Sequence, residues 1–286
     1  MDYDVVRRNA ADIREGIIRA IGSFGGGHIG GCLSVADALA VLYGGKLLKF
    51  NPQDPNWEGR DKVVMSKGHC APALYAALAA EGFFPYDWLY TTNANNTLLP
   101  SHCDRLRTPG IDAGTGSLGQ GISMACGFAV AARLKKNGSM TYVFCGDGEM
   151  QEGEVWEAVE FAAHHKLGRL CLFADMNKKQ LDGWVSDICQ TFDTAGKFKS
   201  FGWNVIQVKG DDVEEIAPAV EVAMRRGDNC APTVIILDSE KGCGCDFAEK
   251  EFDNHWIDYD LEEAERSVAE VERRLAAGLL PGGEKK

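Results

Sequence analysis

The second half of the chain alternates short strands with helices, and this alternation constrains the fold more strongly than any other feature of the sequence. Runs rich in β-branched or aromatic residues occupy positions 141–145, 170–174, 203–208 and 233–237. Segments with apolar residues at helical spacing lie between them, at 154–165, 191–201 and 213–226. Such alternation is typical of a parallel sheet covered by helices. The sequence therefore predicts an α/β fold with a doubly wound, mostly parallel sheet and helices on both of its faces.

The rest of the chain adds further helices and one more strand. Helical patterns occur at 2–21, 34–43, 66–80, 122–134 and 261–275, and a short strand is predicted at 62–65. No internal repeat or low-complexity linker interrupts this order. We therefore expect one domain over residues 1–278, followed by a flexible C-terminal tail at 279–286.

The composition excludes several classes of protein. The 286 residues include 30 Lys and Arg against 42 Asp and Glu, a net charge of −12. Nucleic acids and anionic membranes bind clustered basic residues, so we expect neither as a partner. No apolar stretch approaches the ~18 residues of a membrane-spanning helix, and the acidic N-terminus does not resemble a signal peptide. These features predict a cytoplasmic protein, and they still permit a local site for one small phosphorylated ligand.

The ten cysteines are scattered along the chain, with no CxxC pair and a single CxC, Cys243-Gly244-Cys245. Disulfide frameworks and zinc sites need closer or more regular spacing. We therefore expect reduced thiols, in keeping with a cytoplasmic location, and no metal at the CxC pair.

A literal match to the dinucleotide-binding motif, Gly114-x-Gly116-x-x-Gly119, has to be tested first. That motif normally joins the first strand of a βαβ unit to its helix, with an acidic residue about 20 positions later. Here residues 108–112 do not resemble a strand, and no acidic residue occurs in 130–145. The sequence therefore argues against a nicotinamide site. These glycines allow either close helix packing or a backbone loop that approaches another ligand.

Gly146-Asp147-Gly148 directly follows the predicted strand 141–145, and Asn177 follows the next strand along the chain. In parallel α/β sheets, ligands bind at the carboxyl ends of the strands, where glycines let backbone amides approach a phosphate. A carboxylate, an amide oxygen and a nearby carbonyl suit Mg²⁺ that is shared with a diphosphate. Asp147 has a second interpretation, as the N-cap of the following helix.

These residues resemble a known cofactor motif. Gly146-Asp147-Gly148, 28 further residues and then Asn177 are similar to the motif that binds thiamine diphosphate and Mg²⁺. The surrounding stretches 27–31, 60–69, 115–121, 146–153 and 181–183 resemble the transketolase family. The likeness runs in the same order from the first helix to about His255. It implies the thiamine-diphosphate-binding fold, with residues 1–278 as the domain that binds the diphosphate.

The resemblance also implies roles for individual residues. Mg²⁺, or Ca²⁺ or Mn²⁺ in its place, would be held by the side chains of Asp147 and Asn177 and by the backbone carbonyl of Lys179. The residues expected to contact the cofactor are Lys67, His69, Gly116, Ser117, Leu118, Gly146, Asp147, Gly148, Glu152, Asn177, Lys241 and His255. The residues expected to act in catalysis, through proton transfer near neutral pH, are His28, His69, His102 and His255.

Three residues in two segments depart from the family pattern. The usual Gly-His-Pro is Ser101-His102-Cys103, and Lys179 stands where the family has an aliphatic residue. The difference at Lys179 matters little if the metal contacts only the backbone carbonyl of this residue. The two remaining histidines, His164 and His165, lie in a predicted helix away from every motif, so we expect structural roles for both.

The resemblance implies transketolase activity, which is the transfer of a two-carbon ketol unit from a ketose phosphate to an aldose acceptor, with carbanion chemistry supplied by the cofactor. In this family a second domain binds the cofactor's pyrimidine and carries the activating glutamate. The chain matches the diphosphate-binding half, which implies a separate C-terminal subunit within an α2β2 heterotetramer. Glu152 is expected near the contact, and the apolar surface of helix 122–134 is a further candidate for it.

Other functions remain open at this stage. The nearest is another thiamine diphosphate enzyme, either deoxyxylulose-phosphate-synthase-like or a pyruvate-using acyl transferase. A transketolase specialised for an unusual sugar would have the same motifs in this chain, because much of the sugar recognition belongs to the pyrimidine-binding half. The remaining alternatives are a nicotinamide oxidoreductase and a non-catalytic binding or scaffold subunit.

Overall fold

A computed structural model describes residues 1–279, and its strands form one main sheet and a small hairpin. The strands are β1 (Lys62–Met65), β2 (Thr141–Gly146), β3 (Leu170–Met176), β4 (Lys179–Gln180), β5 (Gly183–Trp184), β6 (Asn204–Lys209) and β7 (Thr233–Asp238). Five of them form a sheet in the order β1-β2-β3-β7-β6, in which every pairing is parallel. The predicted parallel α/β sheet is confirmed. The antiparallel hairpin of β4 and β5 is an addition that the sequence did not indicate.

The helices of the described residues agree with the long predicted ones within a few positions. They are α1 (Tyr3–Gly22), α2 (Ile29–Leu33), α3 (Ala36–Leu42), α4 (Ala71–Ala80), α5 (Gln120–Lys135), α6 (Gly153–His164), α7 (Val185–Ile188), α8 (Thr194–Ser200), α9 (Val213–Met224), α10 (Asp246–Lys250) and α11 (Leu261–Ala276). The helix predicted at 66–80 begins only at Ala71, because Gly68–Cys70 forms a 3₁₀ turn. The helix predicted at 191–201 begins at Thr194, where Asp193 caps it by accepting a hydrogen bond from the N–H of Gly196.

Helices cover both faces of the sheet, as the sequence predicts. Alternate residues of β2 point to opposite sides, so that Tyr142 and Phe144 belong to one apolar cluster and Val143 and Cys145 to the other. The first cluster includes residues of α1, α3, α4, α9 and α11, and the second includes residues of α5, α6 and α8. These four side chains are fully buried, and removing their apolar surface from water stabilises the fold.

The parallel arrangement brings the carboxyl ends of four strands to one edge of the sheet. Gly146 at the end of β2 is paired with Asp175 of β3, and Asp238 ends β7 beside them. β1 ends on the other side of β2, at Met65. Because these strands run in the same direction, the loops that follow them meet at this edge, and the candidate site lies there.

Two further sequence predictions, on the cysteines and on membrane-spanning helices, can be compared with the described residues. All ten cysteines are free thiols, as expected, and eight of them are buried. No helix within residues 1–279 is long and apolar enough to cross a membrane. The predicted C-terminal tail lies almost wholly outside the described residues, of which Leu279 is the last.

Candidate active site

A cavity of about 350 Å³ opens at the carboxyl edge of the sheet, between the loops that follow β1, β2, β3 and β7. The residues singled out from the sequence that line it are Lys67, His69, Leu118, Gly146, Asp147, Gly148, Glu152, Asn177, Lys179, Lys241 and His255. Gly116 and Ser117 belong to the glycine loop that carries Leu118. His28 and His102 lie against this group of residues, since His28 packs on His69 and His102 packs on Gly116. The fold therefore brings the whole predicted set into one region.

Asp147 is buried and held in place by backbone donors. Its Oδ1 accepts a hydrogen bond from the N–H of Gly148 at 2.8 Å, and its Oδ2 accepts one from the N–H of Lys178 at 2.6 Å. Burial, together with the negative charge of Asp175, raises the pKa of Asp147 to about 7. Neither of the next two helical segments uses Asp147 as its N-cap, so the capping interpretation is wrong.

Asn177 and Lys179 place two more oxygen atoms beside Asp147. The Asn177 Nδ2 donates to Asp175 at 2.7 Å, and its Oδ1 accepts from the N–H of Lys179 at 3.3 Å. The Lys179 carbonyl accepts from the Nζ of Lys241 at 2.9 Å, which leaves it a second lone pair. A carboxylate, an amide oxygen and a carbonyl fit a hard cation such as Mg²⁺ or Ca²⁺ if a diphosphate or water supplies the other ligands.

The protein does not build a metal site from charged ligands alone. Within residues 1–279, no group of three or more His, Cys, Asp or Glu side chains is placed to hold a metal ion. A cation at Asp147 would therefore depend on neutral oxygen ligands and on a bound anion.

Asp175 is a central residue of the site that the sequence reasoning missed. It is fully buried and accepts hydrogen bonds from Ser34 Oγ at 2.6 Å, Lys67 Nζ at 2.6 Å, Asn177 Nδ2 at 2.7 Å and Ser239 Oγ at 2.5 Å. It thus joins the loops that follow β1, β3 and β7. An acidic residue within an otherwise apolar strand, two positions before Asn177, is the signal that could have revealed it.

Lys67 owes its charged state to this contact. Its Nζ binds Asp175 and the carbonyl of Gly31, the latter at 2.7 Å. Burial alone would lower the pKa of Lys67, but the attraction of Asp175 outweighs it and the pKa lies above its ordinary value. Lys67 therefore forms a buried ion pair beneath the cavity.

Glu149, also missed, holds three loops together. Its Oε1 accepts from Ser66 Oγ at 2.5 Å and from the N–H of Gly119 at 2.9 Å, and its Oε2 accepts from the N–H of Gly146 at 3.1 Å. Burial raises the pKa of this carboxyl group, while the hydrogen bond from Ser66 acts in the opposite direction. Glu149 fixes the glycine loop against the ends of β1 and β2.

Two glycines of the literal dinucleotide motif lie in close packing, since a Cβ atom on Gly116 or on Gly119 would come to 3.0 Å from the side chain of His102 or Glu152. Gly116 has a φ of 151°, and a Cβ atom on Gly68 would lie 2.6 Å from the nitrogen of Gly116. The segment before the motif is not a strand in the described structure, which agrees with the argument against a nicotinamide site. The same loop exposes Leu118 to the cavity. The loop packs closely, as the first interpretation expects, and it borders the cavity, while its approach to a ligand stays a prediction.

Gly121 offers a test of this packing. A Cβ atom there would lie 2.6 Å from the Cα of Ser66, whereas a Cβ on Gly127, in the same helix α5, would meet no atom within 4 Å. We expect Gly121→Ala to lower the free energy of unfolding by about 1–3 kcal/mol through overpacking. Gly127→Ala should raise it by about 0.5–1 kcal/mol, because alanine favours helix. Urea unfolding followed by circular dichroism measures both, and equal effects would contradict the packing argument.

Three imidazole rings form a cluster at the outer end of the cavity. The ring centroids of His28, His69 and His255 are 5.1 Å apart in each pair, and the indole of Trp256 lies 4.9 Å from that of His28. Burial lowers the pKa of His28 to about 4 and that of His255 to about 3, the latter with a contribution from Lys241. Both rings are therefore neutral near pH 7.

Lys241 and His102 complete this region. The Nζ of Lys241 lies 3.0 Å from the Nδ1 of His255, and burial lowers the pKa of Lys241 to about 8. His102 stands apart from the other histidines, beside Gly116, with its Nδ1 3.2 Å from the hydroxyl of Ser101. Burial also lowers the pKa of His102.

His164 and His165 lie outside the site. They follow each other at the exposed C-terminal end of α6, with ring centroids 4.9 Å apart. Neither lines the cavity at the carboxyl edge of the sheet. Their position agrees with the structural roles expected from the sequence.

Sequence comparison places this chain among known proteins. Residues 5–275 match the family described as transketolase, thiamine diphosphate binding domain. The chain is 43% identical over 271 residues to the 6-deoxy-6-sulfo-D-fructose transketolase subunit SqwG of Clostridium sp. (strain MSTE9), covering 95% of this chain and 98% of that protein. It is 37% identical over 250 residues to an apulose-4-phosphate transketolase subunit of Actinobacillus succinogenes, covering 87% of this chain and 89% of that protein.

Structural comparison leads to the same family. A transketolase variant from Pichia stipitis matches with a TM-score of 0.85 at 30% identity, over 95% of this chain and 40% of that one. The transketolase of Campylobacter jejuni matches with a TM-score of 0.82 at 27% identity, over 97% of this chain and 48% of that one. The chain thus spans less than half the length of these two transketolases. As its sequence resemblance indicates, the chain belongs to the family of transketolase thiamine diphosphate binding domains.

Proposed function

We propose that this chain is the thiamine-diphosphate-binding subunit of a two-chain transketolase, which transfers a two-carbon ketol unit from a ketose phosphate to an aldose acceptor. The observation that carries the proposal is the convergence of Asp147, the Asn177 amide oxygen and the Lys179 carbonyl at a cavity bordered by histidines. Relatives that are named as subunits of transketolases support the two-chain arrangement.

In this proposal the side chains of Asp147 and Asn177 and the Lys179 carbonyl would hold Mg²⁺, or Ca²⁺ or Mn²⁺, which would neutralise the charge of the cofactor's diphosphate. The open backbone at Gly146 and Gly148 leaves room for the diphosphate at the carboxyl edge of the sheet. Lys241 adds a positive charge on the cavity wall, and Lys67 supports that wall from below. Gly116, Ser117 and Leu118 border the cofactor's rings.

Thiamine diphosphate supplies the carbanion chemistry when it is bound. The chain's own histidines position the sugar and move protons. His28 and His255 are neutral near pH 7, so each ring offers one acceptor nitrogen and one N–H donor with which to hold a sugar hydroxyl. His69 and His255 line the cavity itself, and His102 packs beside Gly116 of the glycine loop.

The proposed partner is a C-terminal transketolase subunit that carries the pyrimidine-binding domain and the activating glutamate, in an α2β2 heterotetramer in the cytoplasm. Glu152 is exposed at the rim of the cavity, where such a subunit would close over the cofactor. Exposed apolar side chains on α5 and α6, which include Met124, Leu134 and Phe161, offer a second area of contact.

The sugar is the least constrained part of the proposal. One relative is named for 6-deoxy-6-sulfo-D-fructose and another for apulose 4-phosphate, which favours a transketolase specialised for an unusual sugar. We therefore propose a sugar phosphate or a comparable anionic sugar as the donor class. The pyruvate-using alternatives gain no support from these names.

The requirement for a partner can be tested by reconstitution. We expect the purified chain to be inactive with thiamine diphosphate and Mg²⁺, and to cleave ketose donors only when the C-terminal subunit is added. Parallel assays with pyruvate and with NAD should show neither consumption nor binding. Ketol transfer by the isolated chain would contradict the two-chain proposal, and pyruvate consumption would favour the alternative class of enzyme.

A further inference from the structure

The side chain of Lys179 makes contacts that its expected role as a backbone ligand does not require. Lys179 lies in β4 and is paired with Trp184 of β5. Its Nζ lies 5.0 Å from the ring centroid of Trp184 and 5.2 Å from that of Phe252. The same ammonium donates a hydrogen bond to the carbonyl of Phe252 at 3.3 Å. One side chain thus holds three contacts with two separate segments.

Both of these segments border the candidate site. The β4–β5 hairpin carries the Lys179 carbonyl, and Phe252 precedes His255 by three residues. The two sides also meet through Lys241, whose Nζ bonds the Lys179 carbonyl and lies 3.0 Å from His255 Nδ1. The side chain and the carbonyl of Lys179 therefore join the same pair of segments at two points.

We propose that Lys179 is a positioning residue whose ammonium group, through Trp184 and Phe252, fixes the hairpin carbonyl and the His255 segment relative to each other. The inference rests on the proposed function, because it assigns the carbonyl to the metal site. Cation–π attraction explains why a charged side chain serves here, since the ring faces of both aromatic residues are negative. The two rings are 37% and 52% exposed, so each contact is of the weak, solvent-accessible kind.

The test separates the charge of Lys179 from its hydrocarbon stem. Lys179→Met keeps an unbranched stem that packs on aromatic rings but removes the charge and the donor. Lys179→Arg keeps the charge. Lys250→Met is the matched control, because Lys250 is an exposed lysine on α10 that pairs only with its helical neighbour Asp246. Each variant is examined as the full chain, which buries its own core.

Two measurements are made on each variant. Titration calorimetry with thiamine diphosphate at saturating Mg²⁺, on each variant assembled with the C-terminal subunit, should show about five- to tenfold weaker binding for Lys179→Met. In the absence of cofactor, amide hydrogen exchange should be faster in Lys179→Met than in the wild type, in the peptides that cover residues 177–184 and 251–256. Lys179→Arg should restore both readings to within about twofold of the wild type, and Lys250→Met should leave both unchanged.

The outcomes distinguish this inference from the proposed function. If the wild-type chain binds cofactor and Lys179→Met binds equally well, the positioning role is overturned and the proposed function stands. Faster exchange without weaker binding also overturns the role, because the segments would then move without consequence for the site. If the wild-type chain assembled with its C-terminal subunit binds no cofactor, the proposed function fails, and hydrogen exchange alone decides whether Lys179 couples the two segments.

Discussion

Replacing Asp147 by alanine is expected to abolish the Mg²⁺-dependent binding of thiamine diphosphate, with affinity reduced by more than about a hundredfold. Asp147 is the one carboxylate among the three proposed metal ligands, and the other two donors are neutral oxygens. A divalent cation held by an amide and a carbonyl alone loses most of its electrostatic stabilisation. The effect should therefore exceed that of any change in the groups that merely orient these ligands.

Binding has to be separated from folding in this test. Asp147→Ala leaves the N–H groups of Gly148 and Lys178 without their acceptor, which should lower the free energy of unfolding by about 1–3 kcal/mol. Asp147→Asn keeps an acceptor oxygen and the side-chain shape, so it should fold more stably than the alanine variant and still fail to bind. Asp187→Ala, at an exposed position of α7, is the control and should bind normally.

Calorimetry with and without Mg²⁺ measures binding, and circular dichroism confirms that each variant is folded. Normal binding by the folded Asp147→Asn variant would remove Asp147 from the metal site. An assembled complex that stays fully active with Asp147→Ala would favour the scaffold alternative over a catalytic role. A loss of both binding and activity in the folded variant would support a catalytic cofactor site over the scaffold alternative.

The predicted proximity of Asp147 and Asn177 depended on strand order, and the structure confirms it. β2 and β3 are neighbours in a parallel sheet, and Gly146 is paired with Asp175, two residues before Asn177. Parallel neighbours end at the same edge, so residues that follow two such strands must lie close together. The prediction that Asp147 and Asn177 lie close together needs only the alternation of strands and helices, which the sequence displays clearly.

The supporting carboxylates could not be predicted in the same way. Glu149 and Asp175 act through buried partners, and the Ser34 hydroxyl that binds Asp175 is 141 residues away in the chain. Such contacts depend on the packing of α2 and the 3₁₀ turn Gly68–Cys70 against the sheet, which no local pattern encodes. The β4–β5 hairpin escaped prediction because each of its strands has two residues, too few for an alternating pattern.

Replacing Asp175 by alanine is expected to destabilise the fold more than the loss of Asp147 does. The variant would leave the Lys67 ammonium buried with only the Gly31 carbonyl as a partner, and would free the hydroxyls of Ser34 and Ser239. Breaking a buried ion pair by removing one member costs about 3–5 kcal/mol, because the remaining charge is uncompensated. The free energy of unfolding, measured by urea denaturation, should fall by that amount.

A double variant shows whether the buried charge is the cause. Lys67→Met combined with Asp175→Ala removes both charges, so its free energy of unfolding should lie above the value obtained by adding the two single effects. Asp175→Asn keeps one acceptor oxygen, for either the Ser34 or the Ser239 hydroxyl, and removes the charge, so its free energy of unfolding should fall between those of the wild type and the alanine variant. Additive effects of the two substitutions would mean that the pair does not act as a unit. A change below about 1 kcal/mol for Asp175→Ala would show that water reaches Lys67 and replaces its partner.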